Sequence, residues 1–319
     1  MKKLPRSILP IVVALTAVAS AQTTRPASPA RSAPTTRHAG AMAQRAVIIS
    51  VDGLRPDVLL RADAPRIRAL AASGSFTYWA RSTPHSITLP THISMLTGVE
   101  PQAHRIMWND ELPLAEPVYP KVPTLFELGK KAGYSTGIVT GKRKFEAVMK
   151  PGTIDFAYYP DDPKSDETDV AAHARQMIRS DRPEVLFVHF PGVDSIGHSI
   201  GWGTPEQLAA VASVDRAVGL VIDALAEQQM LDSTLIILTA DHGGAGRTHG
   251  PDDFRSRHIP WIAVGPGIRR NYDLTNNRDL VVEVYDTFNT VCTMLNIPIG
   301  RRTNGKFVED ILVERELLK

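Results

Sequence analysis

An apolar, β-branched stretch of the chain ends in side chains that can bind a metal ion. Residues 234–239 have the sequence TLIILT, and Asp241 and His242 follow with glycines after them. Such a run predicts a buried strand that opens into a loop, and His249 comes one short loop later. Carboxylate and imidazole groups at the carboxyl end of a strand suit a zinc-type site in an α/β protein. A polar turn with a capping aspartate and a surface histidine is the alternative.

Two further predicted strands end in the same kinds of side chain. Asp52 follows the buried run 46–51, where the alternative is an aspartate that only caps the next turn. Asp194 and His198 follow the predicted strand 184–190. Their spacing of four residues places them on one face of a helical turn, where both can reach one metal ion.

A threonine in this chain has the surroundings of a nucleophile. Thr88 lies just before a predicted helix, in which Pro90 occupies the first turn and Gly98 marks the end. Its hydroxyl would lie near backbone N–H groups and the positive end of the helix dipole, which favour an alkoxide and an anionic phosphate. The alternative is a hydroxyl that only caps the helix. Asn109 belongs to a predicted exposed loop.

A basic loop follows a fourth predicted strand. Lys142, Arg143 and Lys144 come directly after the strand 134–140 and one glycine. They are expected at the same edge of the sheet as the candidate metal ligands. A solvated turn is the alternative for these three residues.

Strands alternate with helices along the chain, which predicts an α/β fold with a mainly parallel, doubly wound sheet and helices on both faces. Because such a sheet gathers ligand residues at the carboxyl ends of its strands, the four polar strand ends are expected to form one site. The predicted strands are 46–51, 76–80, 134–140, 184–190, 234–239 and 259–264. The predicted helices are 64–72, 122–132, 170–180, 205–229 and 279–295.

Composition narrows the classes of function. Among 319 residues the formal net charge is +2, so there is no nucleic-acid-binding footprint. The one cysteine, Cys292, excludes an intramolecular disulfide and a thiolate zinc site. Any metal ion must therefore be held by histidine, aspartate and glutamate. No feature of the sequence indicates an oligomeric state.

The first residues predict export from the cytoplasm. Residues 1–21 combine a basic start, an apolar run at 8–18 and the small-residue sequence ASA at 19–21, which are typical of a cleaved signal peptide. The apolar run is short for a membrane span, and an uncleaved anchor is the alternative. Residues 22–44 are rich in Ser, Thr, Pro, Ala and Arg and predict a disordered linker. The catalytic domain is then 45–319, in a periplasmic or secreted protein without a membrane span after signal removal.

Taken in order, these motifs resemble the alkaline phosphatase superfamily, and most closely its nucleotide pyrophosphatase/phosphodiesterase branch. The resemblance covers nearly all of residues 45–267. The matching stretches are VIISVDGLRPD at 47–57, TLPTH at 88–92, MWND at 107–110, DSIGH at 194–198, DHG at 241–243 and HGPD at 249–252.

The resemblance implies an alkaline-phosphatase-like core with two zinc ions, each held by three side chains. One set is Asp194, His198 and His249, and the other is Asp52, Asp241 and His242 with the Thr88 oxygen on the same ion. It further implies a hydrolase that cleaves small phosphodiesters or nucleotide pyrophosphates through a phospho-threonine intermediate on Thr88. Two metal ions can hold the attacking and leaving oxygens of an in-line displacement.

Three polar side chains would contact the phosphate according to the resemblance. Asn109 matches the loop asparagine of the family, and Lys142 and Lys144 lie where monoesterase members of the superfamily have a Lys-x-Arg pair. Lysine in the place of arginine loses the bidentate geometry. These lysines favour a phosphomonoesterase with the same metal core, whereas the motif set as a whole favours a phosphodiesterase.

The sequence departs in two places from the family that it resembles. Thr91 occupies a position where the diesterase branch commonly has asparagine, and the loop between the DHG motif and His249 is short. Sulfatases of this fold need a cysteine or serine at the position of Thr88, so that activity is excluded. A non-catalytic protein that binds metal or phosphate is the remaining alternative, and it is disfavoured because all seven metal and nucleophile positions carry suitable residues.

Overall fold

A computed structural model of the chain describes residues 38–110, 118–161, 165–250 and 253–313, which belong to one compact unit, Arg37–Lys319. Its strands are β1 (Arg45–Val51), β2 (Ser75–Arg81), β3 (Thr136–Thr140), β4 (Phe156–Tyr158), β5 (Val185–Phe190), β6 (Thr234–Thr239), β7 (His258–Val264) and β8 (Tyr272–Asp273). They form one sheet in the order β4-β3-β5-β1-β6-β7-β2-β8.

The sheet is mainly parallel, as the sequence predicts. Strands β4, β3, β5, β1 and β6 run parallel to one another, and β7 is antiparallel to both β6 and β2. Every residue of β5 and β6 is buried, which explains their unbroken apolar and β-branched sequences. Among the described residues between β6 and β7, the helix present is four residues long, so it is not the long crossover helix that joins parallel neighbours.

The helices form two groups that cover the sheet. Helices α1, α2, α6 and α7 contact the long α8, whereas α3 contacts α4 and α10. Their bounds are α1 (Pro56–Arg61), α2 (Pro65–Ala72), α3 (Thr88–Thr97), α4 (Pro101–His104), α5 (Leu125–Lys131), α6 (Glu167–Ser180), α7 (Gly192–Ser199), α8 (Pro205–Glu227), α9 (Phe254–Arg257) and α10 (Asp286–Met294). Within the described ranges, no helix is long and apolar enough to span a bilayer.

The C-terminal helix begins seven residues later than the sequence pattern predicts, at Asp286 rather than at 279. The residues before it extend the sheet instead. Arg81 N–H donates to the Val282 carbonyl at 2.9 Å, and Val284 N–H donates to the Arg81 carbonyl at 2.8 Å. Residues 282–284 therefore pair with the end of β2 and are not part of the helix.

The folded unit also begins before the predicted boundary at residue 45. Met42 and Ala43 donate their N–H groups to the Met294 carbonyl, and the His38 ring stacks on Tyr134 with centroids 3.7 Å apart. His38, Met42 and Ala43 of the predicted linker therefore contact the domain. The predicted signal peptide and residues 22–37 of the predicted linker lie outside the described residues.

The strand order explains how separate motifs meet. Strands β3, β5, β1 and β6 are consecutive in the sheet and point the same way, so their carboxyl ends lie side by side. Neighbouring strands are roughly 5 Å apart, which is within reach of side chains that converge on one site. Each of these four strands is followed by a predicted site residue.

Candidate metal centre

The first ligand set, here called the inner set, is completely buried. Asp52, Asp241 and His242 each offer a ligand atom, and these atoms lie within 4.8 Å of one another. The His242 Nε2 atom is 3.2 Å from Asp241 Oδ2 and 3.5 Å from Asp52 Oδ1. Because β1 and β6 are paired, the residues that follow them meet directly.

The second ligand set, here called the outer set, is closer to solvent. Asp194, His198 and His249 also offer atoms within 4.8 Å of one another, and the His198 side chain is 45% exposed. Helix α7 places Asp194 and His198 one turn apart, with His198 Nε2 at 3.3 Å from Asp194 Oδ1. The ring of His249 stacks on that of His242 with centroids 3.7 Å apart, so the two sets are adjacent.

The carboxylates show that both sets are suited to a cation. Asp52 Oδ1, Asp194 Oδ1 and Asp241 Oδ2 are buried and lack a hydrogen-bond partner among the described residues. The other oxygen of each carboxylate is held by the protein, as where Gly53 N–H donates to Asp241 Oδ1 at 3.1 Å. Buried carboxylate oxygens without donors are costly, and metal ions would satisfy all three.

The histidines are oriented for metal binding in the same way. The Nδ1 atoms of His242, His249 and His198 lie 2.8, 2.6 and 3.0 Å from backbone carbonyl oxygens. Since a carbonyl only accepts, each Nδ1 carries the proton and donates it, which leaves Nε2 as the free lone pair. This backbone support is the usual means of fixing the tautomer and ring orientation of a metal-binding histidine.

Electrostatics also favour cations at this edge. Burial and the neighbouring Asp52 and Asp194 charges raise the pKa of Asp241 well above its ordinary value. Burial, together with the adjacent His249, lowers the pKa of His242 to about 4, so its ring is neutral at physiological pH. The neutral ring is the form that binds a metal, and the repulsion among the carboxylates is what a dication would relieve.

Lys142 lies inside the centre and not on its surface. Its Nζ atom donates to Asp52 Oδ2 and to Asp194 Oδ2, both at 2.7 Å, and its side chain is 9% exposed. Burial opposes the charged form, but the two carboxylates raise the pKa of Lys142 above its ordinary value, so the ammonium stays charged. The predicted contact between Lys142 and a phosphoryl oxygen stays a prediction.

His189 is a buried histidine of the centre that the sequence motifs do not reveal. Its Nε2 atom lies 3.0 Å from Asp52 Oδ2, the oxygen that also accepts from Lys142. His189 is on β5, in which all six residues are buried. The strand therefore has no alternation of buried and exposed positions that would show which side chains face the centre. The only signal in the sequence was a histidine in an otherwise apolar strand.

Thr88 is the first residue of α3, and its hydroxyl faces the inner set. Its Oγ1 atom is 3.1 Å from His242 Nε2, and the residue is 2% exposed. The backbone is held from beneath by His92, whose Nδ1 donates to the Thr88 carbonyl at 2.8 Å while Nε2 lies 2.7 Å from Ser50 Oγ. The predicted nucleophile and the predicted inner ligands are therefore brought together.

Asn109 lies beside the nucleophile, and Lys144 holds it there. Asn109 Oδ1 accepts from Leu89 N–H at 2.9 Å, so the asparagine contacts the residue that follows Thr88. Lys144 Nζ donates to the Asn109 carbonyl at 2.7 Å. The sequence predicts Lys144 as a phosphate contact, whereas its observed contact supports the asparagine loop. A contact of Lys144 with the phosphate stays a prediction.

A glycine and a tryptophan allow the two sets to approach each other. Gly53 has φ of +72°, and a Cβ atom there would lie 2.9 Å from Asp194 Cα. Trp202 Nε1 donates to the Gly53 carbonyl at 3.0 Å, and its ring lies edge-on to His198 with centroids 5.2 Å apart. Sequence motifs did not identify Trp202, because a tryptophan in a turn carries no spacing signal.

Fold and site together define an α/β protein with an alkaline-phosphatase-like core. Residues 46–253 match the Type I phosphodiesterase / nucleotide pyrophosphatase family, and the chain belongs to that family. An uncharacterised pyrophosphatase/phosphodiesterase of Schizosaccharomyces pombe is 26% identical over 217 residues, which is 62% of this chain and 44% of the relative. Human ectonucleotide pyrophosphatase/phosphodiesterase family member 1 is 27% identical over 220 residues, which is 62% of this chain and 23% of the relative.

A solved structure has the same fold. Murine ectonucleotide pyrophosphatase/phosphodiesterase 5, as an inactive variant in complex with AMP, aligns with a TM-score of 0.70 and 16% identity. The alignment covers 84% of this chain and 100% of that one. The curated relatives above are longer, and the chain spans less than half of their length.

The two ligand sets predict two classes of bound metal ion. We expect the zinc-loaded chain to hold two ions, of which the outer is removed faster by a chelator because His198 is exposed. His249→Ala should hold one ion and lose the fast phase, as measured by elemental analysis and by chelation kinetics. His173→Ala, a histidine that stacks on Tyr158 away from the centre, is the control and should hold two. A wild-type chain that binds no transition metal would contradict the assignment.

Proposed function

We propose that this protein is a two-zinc phosphoesterase that hydrolyses small phosphodiesters or nucleotide pyrophosphates through a phospho-threonine intermediate on Thr88. One observation carries the proposal. The Thr88 hydroxyl lies against the inner ligand set, with Oγ1 at 3.1 Å from His242 Nε2, while the outer set lies directly beside it. A nucleophile beside one of two adjacent cation sites is an arrangement suited to displacement at phosphorus.

Zinc is the metal that the donor atoms fit best. Each set offers three nitrogen or oxygen ligands and leaves coordination positions for a substrate, which is the pattern of catalytic zinc. When bound, the metal ions would lower the pKa of a hydroxyl on them and neutralise charge on the phosphoryl oxygens.

The residues of the chain would carry the chemistry as follows. The Thr88 hydroxyl gives up its proton to solvent, its oxygen forms a bond to phosphorus, and the bond from phosphorus to the leaving oxygen breaks. Water then cleaves the bond between Thr88 and phosphorus, which restores the hydroxyl and releases the phosphate product. Asn109 accepts a hydrogen bond from the N–H of Leu89 through Oδ1, so its side-chain amide is fixed at the residue that follows Thr88.

The contacts of the basic loop favour a diester over a monoester substrate. A monoester dianion needs more positive charge at its oxygens than a diester. Lys142 already donates to two carboxylates, and Lys144 donates to the Asn109 carbonyl. The positive charges of Lys142 and Lys144 are therefore partly compensated by groups of the protein itself. The relatives also support a diester or pyrophosphate substrate, because one is named a pyrophosphatase/phosphodiesterase and another was solved in complex with AMP.

We further propose that residues 1–21 are a cleaved signal peptide and that the protein is periplasmic or secreted. The basic start, short apolar run and small residues support this proposal. N-terminal sequencing of the exported protein tests it. A mature chain that retains Met1 in a membrane fraction would show an anchor instead.

Thr88→Ala should abolish turnover while the fold and most of the bound metal are retained. The reason is that a covalent nucleophile has no substitute nearby, so the loss should reach several orders of magnitude in kcat. Thr88→Ser keeps the hydroxyl and should retain partial activity. Thr97→Ala, at the other end of α3, removes a buried hydroxyl bonded to the Ile93 carbonyl and should leave turnover near wild type. Near wild-type turnover by Thr88→Ala would remove Thr88 from the mechanism.

A paired substrate assay separates the two esterase activities. We expect the zinc-loaded wild type to have a higher kcat/KM for bis-p-nitrophenyl phosphate than for p-nitrophenyl phosphate, because the lysines of the basic loop are already engaged by protein groups. Much faster hydrolysis of the monoester would replace the diesterase proposal with a monoesterase. Zinc binding without turnover of either substrate would support a non-catalytic protein.

A further inference from the structure

Lys142 joins the two ligand sets by direct contact. Its ammonium donates to a carboxylate of the inner set, Asp52, and to a carboxylate of the outer set, Asp194, at equal distances of 2.7 Å. Its backbone is fixed by Thr140, whose hydroxyl donates to the Lys142 carbonyl at 3.1 Å. The contact of Lys142 with the two aspartates is therefore fixed by the surrounding structure. It does not depend on a mobile surface side chain.

The same contact determines which oxygen of each carboxylate remains for a metal ion. Lys142 takes the Oδ2 atoms of Asp52 and Asp194, and His189 adds a second contact to Asp52 Oδ2 at 3.0 Å. In the part of the chain that the structure describes, the Oδ1 atoms of both aspartates are the ones left buried without a hydrogen-bond partner. In each of these carboxylates, Oδ2 thus accepts from the lysine ammonium, and Oδ1 remains as a position for a metal ion.

We propose that Lys142 acts as a resident cation that stabilises the metal-free centre by compensating the charge of one carboxylate from each ligand set. The proposal rests on the metal centre proposed above but not on turnover. Three buried carboxylates without counter-charge would be strongly destabilising, and the ammonium offsets one of these charges before any metal ion arrives. Once two dications are present, the carboxylates are compensated without it, and the lysine contributes much less.

This inference predicts that removal of the lysine charge affects the two metal states differently. Lys142→Met keeps a similar length and removes the charge. In the metal-free protein, we expect the folding equilibrium constant to fall by about a hundredfold or more, because the carboxylates lose their buried partner. In the zinc-loaded protein, we expect a fall of less than about tenfold. By linkage, zinc should bind the folded variant more tightly than it binds the wild type.

The measurement is denaturant unfolding of the full chain with zinc and after chelation, with zinc affinity measured by competition against a chromophoric chelator. Lys130→Met is the matched control, because Lys130 forms a lysine–aspartate pair with Asp155 at 2.6 Å on the surface. It should change the stability of both metal states little and equally. Equal losses in both states for Lys142→Met would show a packing role and overturn the proposal, as would weaker zinc binding by the folded variant.

A second variant covers the case in which metal-free Lys142→Met does not fold. Asp194→Asn removes one of the two negative charges that the lysine ammonium compensates. In the metal-free state, the double variant Lys142→Met with Asp194→Asn should therefore be more stable than Lys142→Met alone. A double variant that is no more stable would overturn the proposal. These stability and zinc-affinity measurements use no substrate. A failure of the esterase proposal would appear instead as the absence of turnover by the wild type, so the two failures can be distinguished.

Discussion

The centre depends on one electrostatic constraint, which is that three carboxylates are buried together at one edge of the sheet. Asp52 and Asp241 are fully buried, and Asp194 is 3% exposed. Burial, together with repulsion from the other two carboxylates, raises the pKa of Asp241 well above its ordinary value. A buried charge without a partner is expensive, so the protein must supply cations or bind them. Lys142 supplies one, and in the proposed metal centre the two ligand sets bind the others.

The sheet topology is what makes so concentrated a charge possible. Four consecutive parallel strands bring their carboxyl ends together, and the loops that follow them contribute one or two side chains each. Because β1, β5 and β6 are buried along nearly their whole length, the strand ends are held rigidly by the core. Gly53 permits the close approach of Asp194 that the two ligand sets require. Rigid support of this kind keeps ligands in position when a metal ion is absent.

The sequence predicted the parts of this arrangement that have local patterns. Buried strands ending in Asp52 or Asp241, and the four-residue spacing of Asp194 and His198, can be recognised from periodicity and spacing, and the two groups of ligands do meet in the structure. Contacts that depend on tertiary structure could not be predicted in the same way. The position of His189 within an entirely buried strand hid its role, and the bridge made by Lys142 joins residues 90 and 52 positions away in the chain. The predicted C-terminal helix was too long for the same reason. A residue before Asp286 pairs with β2, and this tertiary contact has no local signal in the sequence.

The central claim is that Thr88 forms a covalent bond to phosphorus at a centre built around these carboxylates. The most direct measurement is an acid quench of the zinc-loaded enzyme during turnover of bis-p-nitrophenyl phosphate, followed by peptide mass spectrometry. The account predicts a phosphoryl group, carrying one nitrophenyl substituent, on the peptide that contains Thr88, and no such adduct in Thr88→Ala. Steady turnover with no covalent adduct on that peptide at any quench time, while the released product accumulates, would contradict the account and indicate direct attack by water.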